Sequence, residues 1–116
     1  MTDDAFWTME RGFWLEGRAH YEAHWSPDAI AAFPMPAGIM AGDGFVADLP
    51  TNGSWEAVEI ERRHLSRPAE DVAVLAYLGT GTRGGERHAC ICSSTYLERG
   101  GSWRMVQHQQ TPAVPP

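Results

Sequence analysis

The chain has 116 residues, 43% of them apolar, and a formal net charge of −6. That length suits one domain and lets roughly two thirds of the unfolded chain's surface be buried without covalent staples. All nine basic residues are arginine, so a Schiff base on a side-chain amine and a GxxxxGK phosphate loop are excluded, and the acidic balance argues against nucleic acid as a partner.

No apolar run is long enough to span a bilayer. The opening "MTDDAFWTMERG" carries acids where a secretory signal would carry bases, so a soluble, cytoplasmic protein is expected. Arginine without lysine, in a chain rich in alanine and glycine, suggests a GC-rich bacterial source.

The first 25 residues read as helix. Thr2 is placed to cap it, Asp3 and Asp4 complement the positive end of its dipole, and apolar side chains recur at Phe6, Met9, Phe13 and Trp14. Trp7, Trp14 and Tyr21 form a second stripe at sevenfold spacing. "WSPDA" is read as the turn that ends the helix. A short strand follows over Ala29–Phe33, then a short helix in "GDGFVADLPTNG".

From Ser54 the period changes to two. "WEAVEIERRHL" alternates, while "DVAVLAYLGTGT" is apolar on both faces and is expected to be central and covered on both sides. Gly84-Gly85 and Gly100-Gly101 supply the positive φ that tight hairpins need. The expected result is an antiparallel meander of strands of about 11, 12, 12 and 9 residues, strongly twisted. Helices first and a long sheet after define an α+β domain with the helices on one face. The domain is drawn at residues 1–111, with 112–116 a flexible tail.

Several landmarks fall in an order that resembles the nuclear transport factor 2-like superfamily, in its SnoaL-like and ketosteroid-isomerase-like branches. They are Phe13-Trp14 with Gly17 and Tyr21, "PDAIAAFPMPAG", Trp55, "EDVAVLAY", "SSTY" and the closing "GGSWRMVQHQQTP". The resemblance covers nearly the whole chain. It implies a cone, a curved antiparallel sheet wrapping three helices around a mostly apolar cavity, and homodimers through the outer sheet face. It does not choose among isomerases, cyclases, dehydratases and binding modules.

His108 is the first candidate site residue. Strict alternation puts it on one face with Val106 and Gln110, and Trp103, Met105, Gln107 and Gln109 on the other; one bulge would exchange part of that set. It reads either as a general base at the pocket wall or as a polar strand end, since no carboxylate partner is visible. Tyr77 is a candidate oxyanion donor, with core packing as the alternative.

His20 and His24 have the spacing of a helical metal pair, but no third ligand can be named and no metal is assigned. Cys90 and Cys92 would sit on one face of a strand, about 6.5–7 Å apart, too far for an unstrained disulfide. Asp28, Asp43 and Asp48 look like turn and cap residues, which counts against an isomerase that needs a pocket aspartate. Glu59, Glu61 and Arg63, with Arg87 and Arg104, read as a charged strand surface.

The resulting expectation is a pocket for a small, largely apolar organic molecule. Its ligand-binding residues would be Trp14, Tyr21, Phe33, Trp55, Tyr77, Ser94, His108 and Gln110. No cofactor, nucleic acid or membrane is expected. One alternative is an isomerase, cyclase or dehydratase with His108 as proton shuttle and Tyr77 as oxyanion donor; another is a non-catalytic dimerisation module.

Overall fold

The computed structural model describes residues 1–113. Two helices, α1 (Asp3–Leu15) and α2 (Arg18–His24), precede β1 (Trp25–Ala32), β2 (Ile39–Ala41) and a single 3-10 turn at Val46–Asp48. Four long strands complete the chain: β3 (Ala57–Ala69), β4 (Val72–Arg83), β5 (Glu86–Arg99) and β6 (Ser102–Pro112). Among the described residues no helix is long and apolar enough to cross a membrane.

All six strands form one sheet in the order β2-β1-β6-β5-β4-β3. The four C-terminal strands form the expected antiparallel meander, and the fold is α+β with both helices packed on the sheet. Both glycine pairs make the predicted two-residue turns, with φ of 58° and 82° at Gly84-Gly85 and 58° and 83° at Gly100-Gly101. One pairing departs from the meander. β1 lies parallel to β6, placing Ala31 beside His108.

The single N-terminal helix of the sequence reading is two helices. Thr2 caps α1 as expected, its hydroxyl accepting from the Ala5 N–H at 3.1 Å. The break falls at Glu16-Gly17, where the loop before β3 runs across the helix end. Glu16 bridges to Asn52, and the Arg18 N–H donates to the Pro50 carbonyl at 3.1 Å. A Cβ on Gly17 would lie 2.2 Å from the Thr51 carbonyl oxygen, and one on Gly53 would lie 2.2 Å from that of Leu15. Two backbones touch here, and only glycine leaves them room.

"WSPDA" is not a turn but the start of β1. Pro27 is tolerated because the register to β6 shifts between Trp25 and Ile30, so its missing N–H breaks no ladder. The expected helix in "GDGFVADLPTNG" shrinks to the 3-10 turn, and β2, too short to show a period, pairs with β1.

β4 is covered on one face only, and lies next to the edge strand β3. Its inward side chains, Ala73, Leu75 and Tyr77, are buried under α1, whereas Val74, Ala76 and Leu78 face outward and stay partly exposed. Of the expected tail, Pro112 belongs to β6, and the Ala113 N–H donates to the Ala89 carbonyl at 2.9 Å. Residues 114–116 lie outside the described residues.

Candidate functional site

The inward face of β4 continues from Tyr77 through Gly79 and Gly81. A Cβ on Gly79 would stand 2.8 Å from the Trp14 ring, and one on Gly81 2.6 Å from the Trp55 ring. The "GTGT" segment is therefore a groove that seats two indoles, whose centroids lie 5.8 Å apart. Phe13, Tyr21, Trp25 and Phe45 form a second aromatic cluster, packed edge-on or tilted against one another at centroid distances of 4.8–6.5 Å.

Between these rings and the sheet lies a cavity of about 310 Å³. Trp14, Tyr21, Phe33, Trp55, His108 and Gln110, six of the residues expected from sequence, line it. Phe13, Trp25, Phe45, Met40, Leu49 and Met105 add apolar wall, and Arg83 and Ser54 add polar groups.

His108 faces inward because β6 is irregular. The register between β5 and β6 slips by one residue, so that Tyr96 pairs with Met105 but Thr95 with Gln107, leaving Val106 as the extra residue. Met105 and His108 consequently share the buried face, which strict alternation forbids. Gln107 and Gln109 turn outward.

Behind His108 lies a carboxyl group that the sequence reading did not find. Glu10, on α1, is fully buried. Tyr77 Oη donates to its Oε2 at 2.5 Å, Ser94 Oγ to the same oxygen at 2.7 Å, and Tyr96 Oη to Oε1 at 2.7 Å. Both oxygens thus act only as acceptors, the bonding pattern of a carboxylate. Its nearest cation-capable neighbour is His108, whose Nδ1 is 3.6 Å from Oε2.

The proton positions follow from this set. The Ser94 hydroxyl gives its proton to Glu10, so at 2.7 Å from His108 Nδ1 it accepts from Nδ1–H. His108 Nε2 is then the unprotonated nitrogen, and Gln110 Nε2 donates to it at 3.0 Å. Burial holds the imidazole below its ordinary value, with the Glu10 charge opposing. His108 is a neutral imidazole with its basic nitrogen toward the cavity side.

Tyr77 and Ser94 do not line the cavity. The one proton of Tyr77 Oη is committed: it donates to Glu10, and the oxygen accepts from Trp14 Nε1 at 3.0 Å. Burial, and then the Glu10 charge, push its pKa well above 10. It cannot also donate to a bound oxyanion, so the oxyanion role assigned to it is withdrawn. Ser94 sits behind the His108 ring as its hydrogen-bond acceptor. The phenol that does line the cavity is Tyr21, whose hydroxyl bonds no protein group among the described residues. Burial and the Glu10 charge raise its pKa to about 12, so it is a donor at neutral pH.

The rings of the histidine pair His20 and His24 lie tilted against each other, with centroids 4.5 Å apart. His20 Nε2 lies 2.9 Å from the Met9 carbonyl and Nδ1 3.4 Å from Glu16. Among the described residues no third ligand joins them. Cys90 and Cys92 are free thiols, and burial pushes Cys92 up to about 12, far from nucleophilic thiolate. On the charged strand surface Arg87 pairs with Glu59 at 3.0 Å.

The sequence did hold a signal for Glu10. It lies four residues after Phe6 and four before Trp14, inside the apolar stripe of α1, where a solvated glutamate has no place. Tyr96, in the "SSTY" segment, could have been named with it.

No family model matches the sequence, and no curated protein is detectably similar to it. Solved structures are. A candidate ketosteroid isomerase from Parabacteroides distasonis superposes with a TM-score of 0.82 at 12% identity, covering 99% of this chain and 90% of that one. A nuclear transport factor 2-like protein of unknown function in nutrient uptake, from Rhodospirillum rubrum, gives 0.74 at 15% identity, covering 97% and 100%. The association domain of the C. elegans kinase CaMKII gives 0.70 at 17%, covering 93% and 90%. The chain has the nuclear transport factor 2-like fold.

A pH prediction follows. The folded pKa of His108 lies below the ordinary 6.5, so below pH 6.5 the unfolded chain binds the proton first and stability falls as pH drops toward the folded value. His24 is lowered in the same direction, so the comparison must be with a variant. Urea unfolding of His108→Gln should show a shallower loss of stability below pH 6.5 than the parent. Equal slopes would mean that His108 is not held neutral.

Proposed function

We propose that this domain binds a small, largely apolar organic molecule in the cavity, with His108, Gln110 and Tyr21 as its polar contacts. The observation that carries this reading is the polar floor: a histidine hydrogen-bonded at both ring nitrogens, by Ser94 and Gln110, inside an aromatic container that the chain's own side chains leave unfilled. A volume of about 310 Å³ is within the size range of small-ligand pockets, about 300–1,000 Å³. Seven aromatic side chains, Phe13, Trp14, Tyr21, Trp25, Phe33, Phe45 and Trp55, line the cavity with the His108 imidazole.

A second reading is enzymatic, and Glu10 favours it. A neutral imidazole backed by Ser94 and a buried carboxylate can accept a proton at Nε2 once Gln110 yields that position to a ligand. The imidazolium so formed would stand 3.6 Å from Glu10 Oε2. With Tyr21 as hydrogen-bond donor, this is the equipment for moving a proton on an apolar substrate, as in isomerisation or dehydration.

The outer face of the sheet supports homodimerisation. On β4 it presents Val72, Val74, Ala76, Leu78 and Thr80, and on β5 Ala89, Ile91, Ser93, Thr95 and Leu97. Gln107, Gln109 and Thr111 continue the same row positions on β6. None of these is charged, while Glu59 and Arg87 stand at the margin. An uncharged centre with a charged rim is the anatomy of an interface. Ile91 is 50% exposed beside Leu78, which a second copy would cover.

Three measurements check these readings. The neutral probe N-phenyl-1-naphthylamine should bind with stoichiometry near one and brighten, and Leu49→Trp, which fills the cavity, should weaken it about tenfold or more. Absence of any binding would leave only a scaffold. Where a substrate is turned over, His108→Ala should lower kcat at least about a hundredfold with the fold retained; unchanged kcat would reduce His108 to a contact. Ile91→Arg should convert a dimer to monomer in sedimentation velocity, and a parent that already sediments as a monomer would refute the interface.

A further inference from the structure

Arg83 is the one formally charged residue that lines the cavity, and no carboxylate lines it. In a chain with fifteen acidic residues against nine arginines, a cation left over at a pocket rim calls for a reason. Its guanidinium lies over the Trp55 ring, 4.6 Å from the centroid, and Trp55 is itself seated against Gly81. Its one hydrogen bond within the described residues is a long one, from Nη1 to the Ser54 carbonyl at 3.3 Å. A guanidinium has five N–H donors in a planar fork that matches a carboxylate, so four remain.

Neither of the acids nearby in the sheet forms an ion pair with Arg83. Glu56 Oε1 accepts the Gly84 N–H at 2.8 Å. Glu86, directly across the hairpin from Arg83, has its carboxylate 3.5 Å from His88 Nε2. Arg67, Arg87 and Arg99 each have a carboxylate partner, and Arg18 spends two nitrogens on the Leu49 carbonyl; Arg63, like Arg83, lies over an indole without one, but it lines no part of the cavity. Arg83 is held in place by stacking, its charge unpaired, at the edge of an apolar hollow.

We infer that the ligand is an organic carboxylate: an apolar, aromatic or alicyclic body that enters the aromatic cavity, with its anionic end received by Arg83 beside Trp55. This rests on the cavity being a ligand site, and it narrows the class of molecule that site takes. The register sets the direction. Arg83 lies eight residues along β4 from Leu75, which pairs with Ser94 and through it with His108. The anionic end and the His108 floor thus lie toward opposite ends of the site. An anion at the mouth would meet the Arg83 charge, whereas at the floor it would meet Glu10.

The test uses 2-naphthoate and its neutral counterpart methyl 2-naphthoate, titrated at pH 8 against the parent, Arg83→Gln and Arg83→Lys, with tryptophan fluorescence as the readout. Arg83→Gln should weaken 2-naphthoate about tenfold or more and leave the methyl ester within about twofold. Arg83→Lys should retain part of the preference, because the charge survives but the fork does not. Raising sodium chloride from 50 to 500 mM should shrink the preference in the parent and leave Arg83→Gln unmoved. If the ester binds the parent but 2-naphthoate binds parent and Arg83→Gln equally, the anion assignment is overturned and the apolar pocket stands. If neither compound binds the parent, the pocket reading falls and the anion assignment with it.

Discussion

A carboxyl group with no formal cation beside it sits at the centre of this molecule, and the arrangement of everything near it follows from that. Taking a charge out of water costs several kcal/mol in a real protein interior unless hydrogen bonds replace the lost water. Glu10 receives three such bonds, from Tyr77 on β4 and from Ser94 and Tyr96 on β5. Hydrogen bonds to a charged group contribute roughly 1.5–3 kcal/mol each. The set therefore offsets the burial only if all three donors are in place together. That condition fixes the position of α1 over the sheet more tightly than apolar packing would, because packing tolerates sliding and a carboxylate with three donors does not.

Two consequences reach the cavity. Trp14 lies one helical turn beyond Glu10 and donates to the same Tyr77 hydroxyl that donates to Glu10, so the indole forming part of the wall is oriented from behind. On the other side, the Ser94 hydroxyl has only its oxygen left to offer, which fixes the His108 tautomer. The wall and the floor of the pocket are held by one buried group that never faces it. Glycines complete the construction. Had Gly79 and Gly81 carried side chains, the two indoles would stand off the sheet and close the hollow.

What could be read from the sequence was the part governed by local rules. Paired glycines set two hairpins, alternation set the long strands, and the order of aromatic landmarks pointed to the cone. The aromatic lining at Trp14, Tyr21, Phe33 and Trp55 was nameable because in such a cone core aromatics and pocket wall coincide. Contacts between distant segments were not legible. The break after Leu15 depends on the loop at residues 50–53 crossing the helix end, and the parallel pairing of β1 with β6 joins strands some 80 residues apart. The inward turn of His108 hangs on a single extra residue, Val106, and a bulge leaves no mark in a pattern of period two. Glu10 was legible in principle. Its mark is a glutamate between Phe6 and Trp14 in an apolar helical stripe, not an aspartate on a loop.

The direction of the hydrogen bonds bears on which chemistry the site could perform. From Gln110 through His108 and Ser94, every proton points toward Glu10. A proton arriving at His108 Nε2 therefore needs no relay to be stabilised; the imidazolium keeps its bond to Ser94 and gains the field of a carboxylate 3.6 Å away. Passing the proton onward to Glu10 would run along the existing bonds, Nδ1–H to Ser94 Oγ and the Ser94 proton to Oε2, and would leave a neutral acid whose own O–H donates back to Ser94. Glu10 thus stands beside His108 at 3.6 Å and is joined to it through the Ser94 hydroxyl. A site built this way can lend a base and take it back within one turnover, as proton shuttling on a single bound molecule demands, while the buried carboxylate stays bonded and the helix stays where it is.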